Sequence, residues 1–155
     1  MVRPRNKIYR VYADTSVFGG CFEEGVRKAS LTFFDHVRRG RFVLIVSDMT
    51  LLELREAPAQ VRDILASLPP EAVERMPLSE EIEELRDAYL SAGILGPSCV
   101  EDAEHIASAT VADVDFAVSW NFKHIVHVDK ISGYQGVNLL KGYPPIRIFS
   151  PPEVV

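Results

Sequence analysis

Four stretches of the chain carry residue types able to do chemistry. Asp14, Thr15 and Ser16 follow the apolar run Ile8-Tyr9-Arg10-Val11-Tyr12-Ala13, and Glu53 follows Phe42 to Val46 by about two helical turns. Asp102 lies in Ser98-Cys99-Val100-Glu101-Asp102, and Asn121 comes two residues after the run Phe116 to Ser119. Each has an ordinary use taken singly. Asp14 can cap a helix or make an Asx-turn, Glu53 can be an exposed helix acid, Asp102 an acid favoured by the helix dipole, and Asn121 a turn residue. His105 and His124 read as polar core or surface groups. Together, three carboxylates and an amide oxygen delivered to one place repel one another unless a cation neutralises them. Hard oxygen donors select magnesium or manganese over zinc, and such a site keeps positions open for water and phosphate oxygens. That donor set suits metal-assisted phosphodiester hydrolysis.

For these residues to meet, the elements carrying them must share an edge. Ile8 to Ala13, Phe42 to Val46, Phe116 to Ser119 and Ile146 to Phe149 are rich in β-branched and aromatic residues, and each predicts a strand. The middle two read as buried on both faces. Helical patterns lie between them: Leu31, Phe34 and Val37 share one face, as do Ile82, Leu85 and Tyr89. Ser47 and Ser79 sit where N-caps belong, and Ser98 with Glu101 fits a capping box that puts Asp102 in a first helical turn. Asp102, His105, Ile106 and Ala109 then share a face. Alternating strands and helices predict a three-layer α/β/α domain with a mostly parallel central sheet, whose ligands sit beyond the carboxyl ends of the strands. Asp14, Glu53 and Asn121 all follow strands, and Asp102 is on the helix leading into the third.

The 155 residues are the size of one domain, so residues 1–155 are expected to form a single one. Hydrophobic residues make up 47% and charged residues 25%, which excludes disordered and fibrous classes. No apolar run approaches the roughly 20 residues of a membrane-spanning helix, and Met1 to Lys7 lack a following apolar signal core. A cytoplasmic protein without a membrane partner is expected. Cys21 and Cys99 are too few for a disulfide scaffold and lack paired zinc spacing. The net charge of −5 is contained in residues 71–87, and the remaining residues balance. Arg3, Arg5, Lys7 and Arg10 cluster at the start, and Arg38, Arg39 and Arg41 close a helix; these are phosphate contacts or solvated surface charge.

Four segments in order resemble the PIN-domain ribonucleases, which include the VapC-type toxins of toxin-antitoxin pairs. They are Tyr12-Ala13-Asp14-Thr15-Ser16-Val17, Ser47-Asp48-Met49-Thr50-Leu51-Leu52-Glu53, Glu101 to Ala109, and Phe116 to His124. The resemblance implies a PIN-like fold and an acidic pocket in which Asp14, Glu53 and Asp102 match the first three acids, with Ser16 supporting them through its hydroxyl. The fourth acidic position is commonly aspartate in the family and is Asn121 here, which contributes no charge. The implied activity is hydrolysis of RNA phosphodiesters with Mg2+ or Mn2+ as cofactor. Asp14 and Asp102 would bind the ion directly, and Glu53 and Asn121 directly or through water. A small antitoxin protein and a homodimer are the implied partners; Phe18, Phe22, Phe33 and Phe34 serve either a core or such a contact. Two alternatives stand beside this. One is a PIN-fold module that binds RNA or protein without cutting. The other is a phosphotransfer domain using Asp14 as acceptor, which the absence of an Asp-x-Asp pair on the first strand weakens.

Overall fold

The computed structural model describes residues 7–155. Among them five strands, β1 (Tyr9–Ala13), β2 (Phe42–Ser47), β3 (Val73–Met76), β4 (Phe116–Val118) and β5 (Ile148–Phe149), form one sheet in the order β3-β2-β1-β4-β5. Every neighbouring pair is parallel, with Tyr9 opposite Phe42 and Val11 opposite Phe116. Seven α-helices connect them: α1 (Thr15–Gly20), α2 (Arg27–Arg38), α3 (Asp48–Arg55), α4 (Ala59–Ala66), α5 (Glu80–Ser91), α6 (Val100–Val111) and α7 (Val128–Leu140).

Strand side chains alternate between faces, so each strand feeds two cores. Val11, Ala13, Leu44, Val46, Phe116 and Val118 meet Val17 and Phe18 of α1, Phe33, Phe34 and Val37 of α2, and Val61 of α4. Tyr12, Ile45, Ala117 and Ile148 point the other way, onto Ile82, Leu85 and Tyr89 of α5, Ile106 of α6 and Tyr134 of α7. A sheet so covered on both faces is the three-layer α/β/α architecture expected from the alternating pattern. Phe18, Phe33 and Phe34 pack in the first core, whereas Phe22 is exposed.

Several local expectations change. Leu31 points to solvent and Phe33 takes its place on the buried face of α2. The edge strand β3 lies inside the acid-rich stretch, where Glu74 and Arg75 hide its strand character. Both are exposed and paired, Glu74 with Arg10 at 2.9 Å and Arg75 with Asp48 at 2.8 Å, so charge protects the sheet edge from a further strand. Ser47 and Ser79 do cap α3 and α5, accepting the N–H of Thr50 at 3.1 Å and of Ile82 at 3.2 Å. The Ser98 capping box does not form. Pro97, with its fixed φ, starts a 3-10 turn over Pro97–Cys99 that winds Ser98 into itself, and α6 begins after Cys99 without a side-chain cap. Asp102 still falls in the first turn of α6.

The chain runs from β1 outward through β2 to β3, then returns to place β4 on the other side of β1. The crevice between the carboxyl ends of β1 and β4 is therefore the topological switch point, where ligands bind in sheets of this kind. Trp120, just past β4, donates its indole N–H to Ser30 Oγ at 2.8 Å. Gly20 permits that approach, because a Cβ there would lie 2.8 Å from the indole nitrogen and 2.5 Å from Ser30 Oγ. The basic clusters sit at the opposite end of the sheet. Arg10 opens β1, donates to the carbonyls of Ala112 and Asp113 at 2.8 and 2.9 Å and pairs with Glu74. Lys7 pairs with Asp115, and Arg39 with Asp35. Arg41 precedes β2 and contacts His36. Arg3 and Arg5 lie outside the described residues.

Candidate metal-binding active site

Asp14 leaves the end of β1 at the N-cap position of α1, yet its carboxylate makes no capping bond. Its oxygens instead accept from two serines: Ser16 Oγ donates to Oδ1, and Ser119 Oγ, just past β4, donates to Oδ2 at 2.7 Å. Ser16 Oγ also accepts the N–H of Trp120 at 2.9 Å, so the two strand ends on either side of the crevice are tied through this carboxylate. Asp14 is only 6% exposed. Burial raises its pKa above the ordinary carboxylate value and the charge of Glu53 adds to this, while His105 and the serine hydroxyls pull the other way.

Glu53 projects from the last turns of α3. Thr15 Oγ1 donates to its Oε1 at 3.0 Å, and the same oxygen pairs with His105 Nε2. Burial pushes Glu53 up, but the His105 hydrogen bond and charge, with help from Thr15, bring it below the usual value. His105 itself is only 2% exposed, and burial works against its charge. Its contacts with Tyr12, Glu53 and Asp14 overcome that and raise its pKa well above 6.5.

The ring joins a chain of buried hydroxyls. Nε2 is hydrogen-bonded to Glu53 Oε1, and Nδ1 to the Tyr12 hydroxyl. The Tyr12 hydroxyl also shares a hydrogen bond with Ser47 Oγ at 2.8 Å, and Ser47 with Thr50 Oγ1 at 3.3 Å. Every polar atom in this buried chain has a partner, which is the condition for such a network to be stable in a low-dielectric interior. Sequence reasoning placed His105 on the Asp102 face but gave it no role; the signal available was its spacing three residues after Asp102.

Asp102 is half-buried in the first turn of α6. Burial raises its pKa, the charges of His105 and His124 lower it, and Glu53 raises it further. Asn121 Nδ2 donates to its Oδ1 at 3.3 Å. The other end of that amide is engaged in the loop: Asn121 Oδ1 accepts the N–H groups of Lys123 and His124 at 3.2 and 2.9 Å. Asn121 thus combines a turn role with contact to the acid cluster, presenting a donor to Asp102.

Asp14, Glu53 and Asp102 come from three elements to one edge, and Glu53 raises the pKa of both aspartates, a repulsion that a cation would relieve. The donor set is hard carboxylate oxygen, the chemistry of Mg2+ or Mn2+, although one oxygen from each of the three does not fall within 4.8 Å of the others. Beside it stands a group that sequence spacing did not reveal. Cys99 and His124 approach Asp102 so that one donor atom of each lies within 4.8 Å of the others, the one such trio among the described residues.

No protein-family description and no curated protein matches the chain. Solved structures do. One is FitAcB from Neisseria gonorrhoeae, with TM-score 0.60 and 11% identity over 93% of this chain and 99% of that one. Another is VapBC2 from Rickettsia felis bound to a DNA fragment from their promoter, with TM-score 0.55 and 14% identity over 91% of this chain and 98% of that one. The chain shares its α/β fold with both. Among the described residues no helix is long and apolar enough to cross a membrane.

Proposed function

We propose that this protein is a divalent-metal-dependent endoribonuclease of PIN type and the toxin member of a toxin-antitoxin pair. The observation that supports the reading is that Asp14, Glu53 and Asp102 come from three elements and lie near enough for the charge of Glu53 to act on both aspartates, each held by its own donors. Mg2+ or Mn2+ would be held by Asp14 and Asp102, with Glu53 binding directly or through water. Once bound, the ion supplies an activated water and neutralises charge on the phosphoryl oxygens.

The chain's own residues do the positioning. Ser16 and Ser119 fix both oxygens of Asp14, and Thr15 and His105 both bond Oε1 of Glu53. Glu53, whose pKa the His105 hydrogen bond and charge bring below the usual value despite burial, would serve as a ligand or accept a proton from an outer water. Asn121 steadies Asp102 through its amide N–H. The motifs that resemble VapC-type toxins, with the fold shared with VapBC2, support an antitoxin partner.

The test is cleavage of a mixed, end-labelled RNA pool in Mg2+, Mn2+ and EDTA, with Asp14→Asn in parallel. Metal-dependent cutting lost in the variant is the expected outcome, and cutting that the substitution leaves intact refutes the assignment. A second reading, a PIN-fold module that binds RNA or protein without cutting, is favoured by one observation: His105 already supplies positive charge among the acids, so the cluster can persist without an ion. RNA binding by a folded protein that cuts in neither metal decides for it.

A further inference from the structure

Cys99 closes the Pro97–Cys99 turn, Asp102 is three residues on in α6, and His124 lies in the loop after β4. All three are half-buried, screened from bulk water but reachable by an ion. Cys99 Sγ and His124 Nε2 are 3.6 Å apart. A tetrahedral ion with bonds of about 2.3 Å to sulfur and about 2.05 Å to nitrogen holds two such ligands about 3.6 Å apart. The imidazole is under-partnered as it stands: Nε2 meets only the weakly bonding thiol, and Nδ1 is buried with no hydrogen-bond partner among the described residues.

The loop that presents His124 is fixed on several sides. Asn121 Oδ1 accepts its N–H, and the Tyr134 hydroxyl donates to its carbonyl at 2.8 Å. The N–H groups of Ile125 and Val126 bond the Asn121 carbonyl at 3.1 and 2.8 Å. Cys99 is held by its N–H bond to the Gly96 carbonyl at 3.0 Å, and Asp102 by Asn121. Such preorganisation lowers the ordering cost of binding.

We propose that Cys99, Asp102 and His124 form a site for a zinc-class divalent transition ion, sharing Asp102 with the oxygen site but differing from it in chemistry. Thiolate, imidazole and carboxylate make a three-ligand set that selects Zn2+ or Co2+ over Mg2+ and keeps a fourth position open. Binding releases the thiol proton to solvent and breaks no other bond. Cys21, the other cysteine, is buried with its pKa pushed up to about 11 and is no competing ligand.

The experiment titrates the full, reduced chain with Co2+ in the absence of RNA, reading the thiolate-to-cobalt charge-transfer band, then displaces the cobalt with Zn2+. One equivalent should develop the band and one equivalent of zinc should remove it. Cys99→Ser should abolish it while Cys21→Ser retains it. His124→Ala should weaken cobalt binding by more than the roughly 10–100-fold that losing a group behind a ligand costs. A band that is absent from the wild type, or that survives Cys99→Ser, overturns the site. Asp14→Asn separates the two proposals: it should leave the band unchanged while removing RNA cleavage, and a band lost with Asp14 assigns the cobalt to the oxygen site instead.

Discussion

With His105 taken as the charged partner of Glu53, its replacement by glutamine removes one positive charge from the acid cluster, keeps a donor within reach of Glu53 and leaves an amide in place of the ring nitrogen beside Tyr12. Breaking a fully buried ion pair costs about 3–5 kcal/mol. Two features reduce that figure here: the Glu53 side chain is 36% exposed, and the amide retains a hydrogen bond. Asp14 works in the other direction, because it is 6% exposed and loses the nearest opposing charge. The balance is a loss of about 2 kcal/mol at pH 7, which for a domain of this size lowers the melting temperature by about 4–8 °C. The assay is thermal unfolding of wild type and His105→Gln in EDTA and again in excess Mg2+. In EDTA the variant should melt lower by that interval, and Mg2+ should raise it more than it raises the wild type, since the ion replaces the missing charge. A variant that melts within about 1 °C of wild type in EDTA, or that gains no more from Mg2+, refutes the view of His105 as the internal counter-ion.

Asn121→Asp puts a fourth carboxylate beside Asp102; it should destabilise the metal-free protein by about 1 kcal/mol and tighten Mg2+ about tenfold, as read by calorimetric titration. Equal or weaker affinity places Asn121 outside the metal's reach. Asp48 accepts the Leu78 N–H at 2.9 Å and pairs with Arg75, which together hold its pKa below 3.8 despite some burial. Because the folded value is the lower one, its contribution is present above 3.8 and is lost as pH falls through the native value. Asp48→Asn should therefore cost up to about 1 kcal/mol in urea unfolding at pH 7, and the difference from wild type should vanish as the pH drops well below 3.8.

The strands nearest the site were legible because β1, β2 and β4 are buried runs of β-branched and aromatic residues, a signal that does not depend on neighbours. The rule that βα connections deliver ligands to the carboxyl edge then singled out Asp14, Glu53 and Asn121. The edge strand β3 escaped notice because half its residues are charged and its partner Leu44 is far away in sequence. Leu31 misled for a related reason: helical spacing gives two nearly equivalent faces when Phe33 and Phe34 adjoin, and only the sheet decides which is inside. His105 and its partners show the limit most clearly. Tyr12 and Glu53 stand 93 and 52 residues from it, and Cys99 stands 25 from His124. No local period links residues at those separations, so their meeting is a product of packing.

That packing gives Asn121 a physical meaning that the sequence pattern lacked. Set against a charged His105, Asp14, Glu53 and Asp102 would leave two negative charges when all are ionised, the amount one divalent ion neutralises. An aspartate at 121 would leave three, and its oxygen would still be needed by the N–H groups of Lys123 and His124. The amide meets both demands: it closes the loop through its oxygen and stabilises the Asp102 carboxylate through its nitrogen, adding no charge. Asn121 and the buried histidine are therefore two parts of one electrostatic arrangement around the three carboxylates. Within the same arrangement, Asp102 is the one carboxylate reached by both the oxygen set and the thiol–imidazole pair, so the choice of ion there depends on which neighbours it joins.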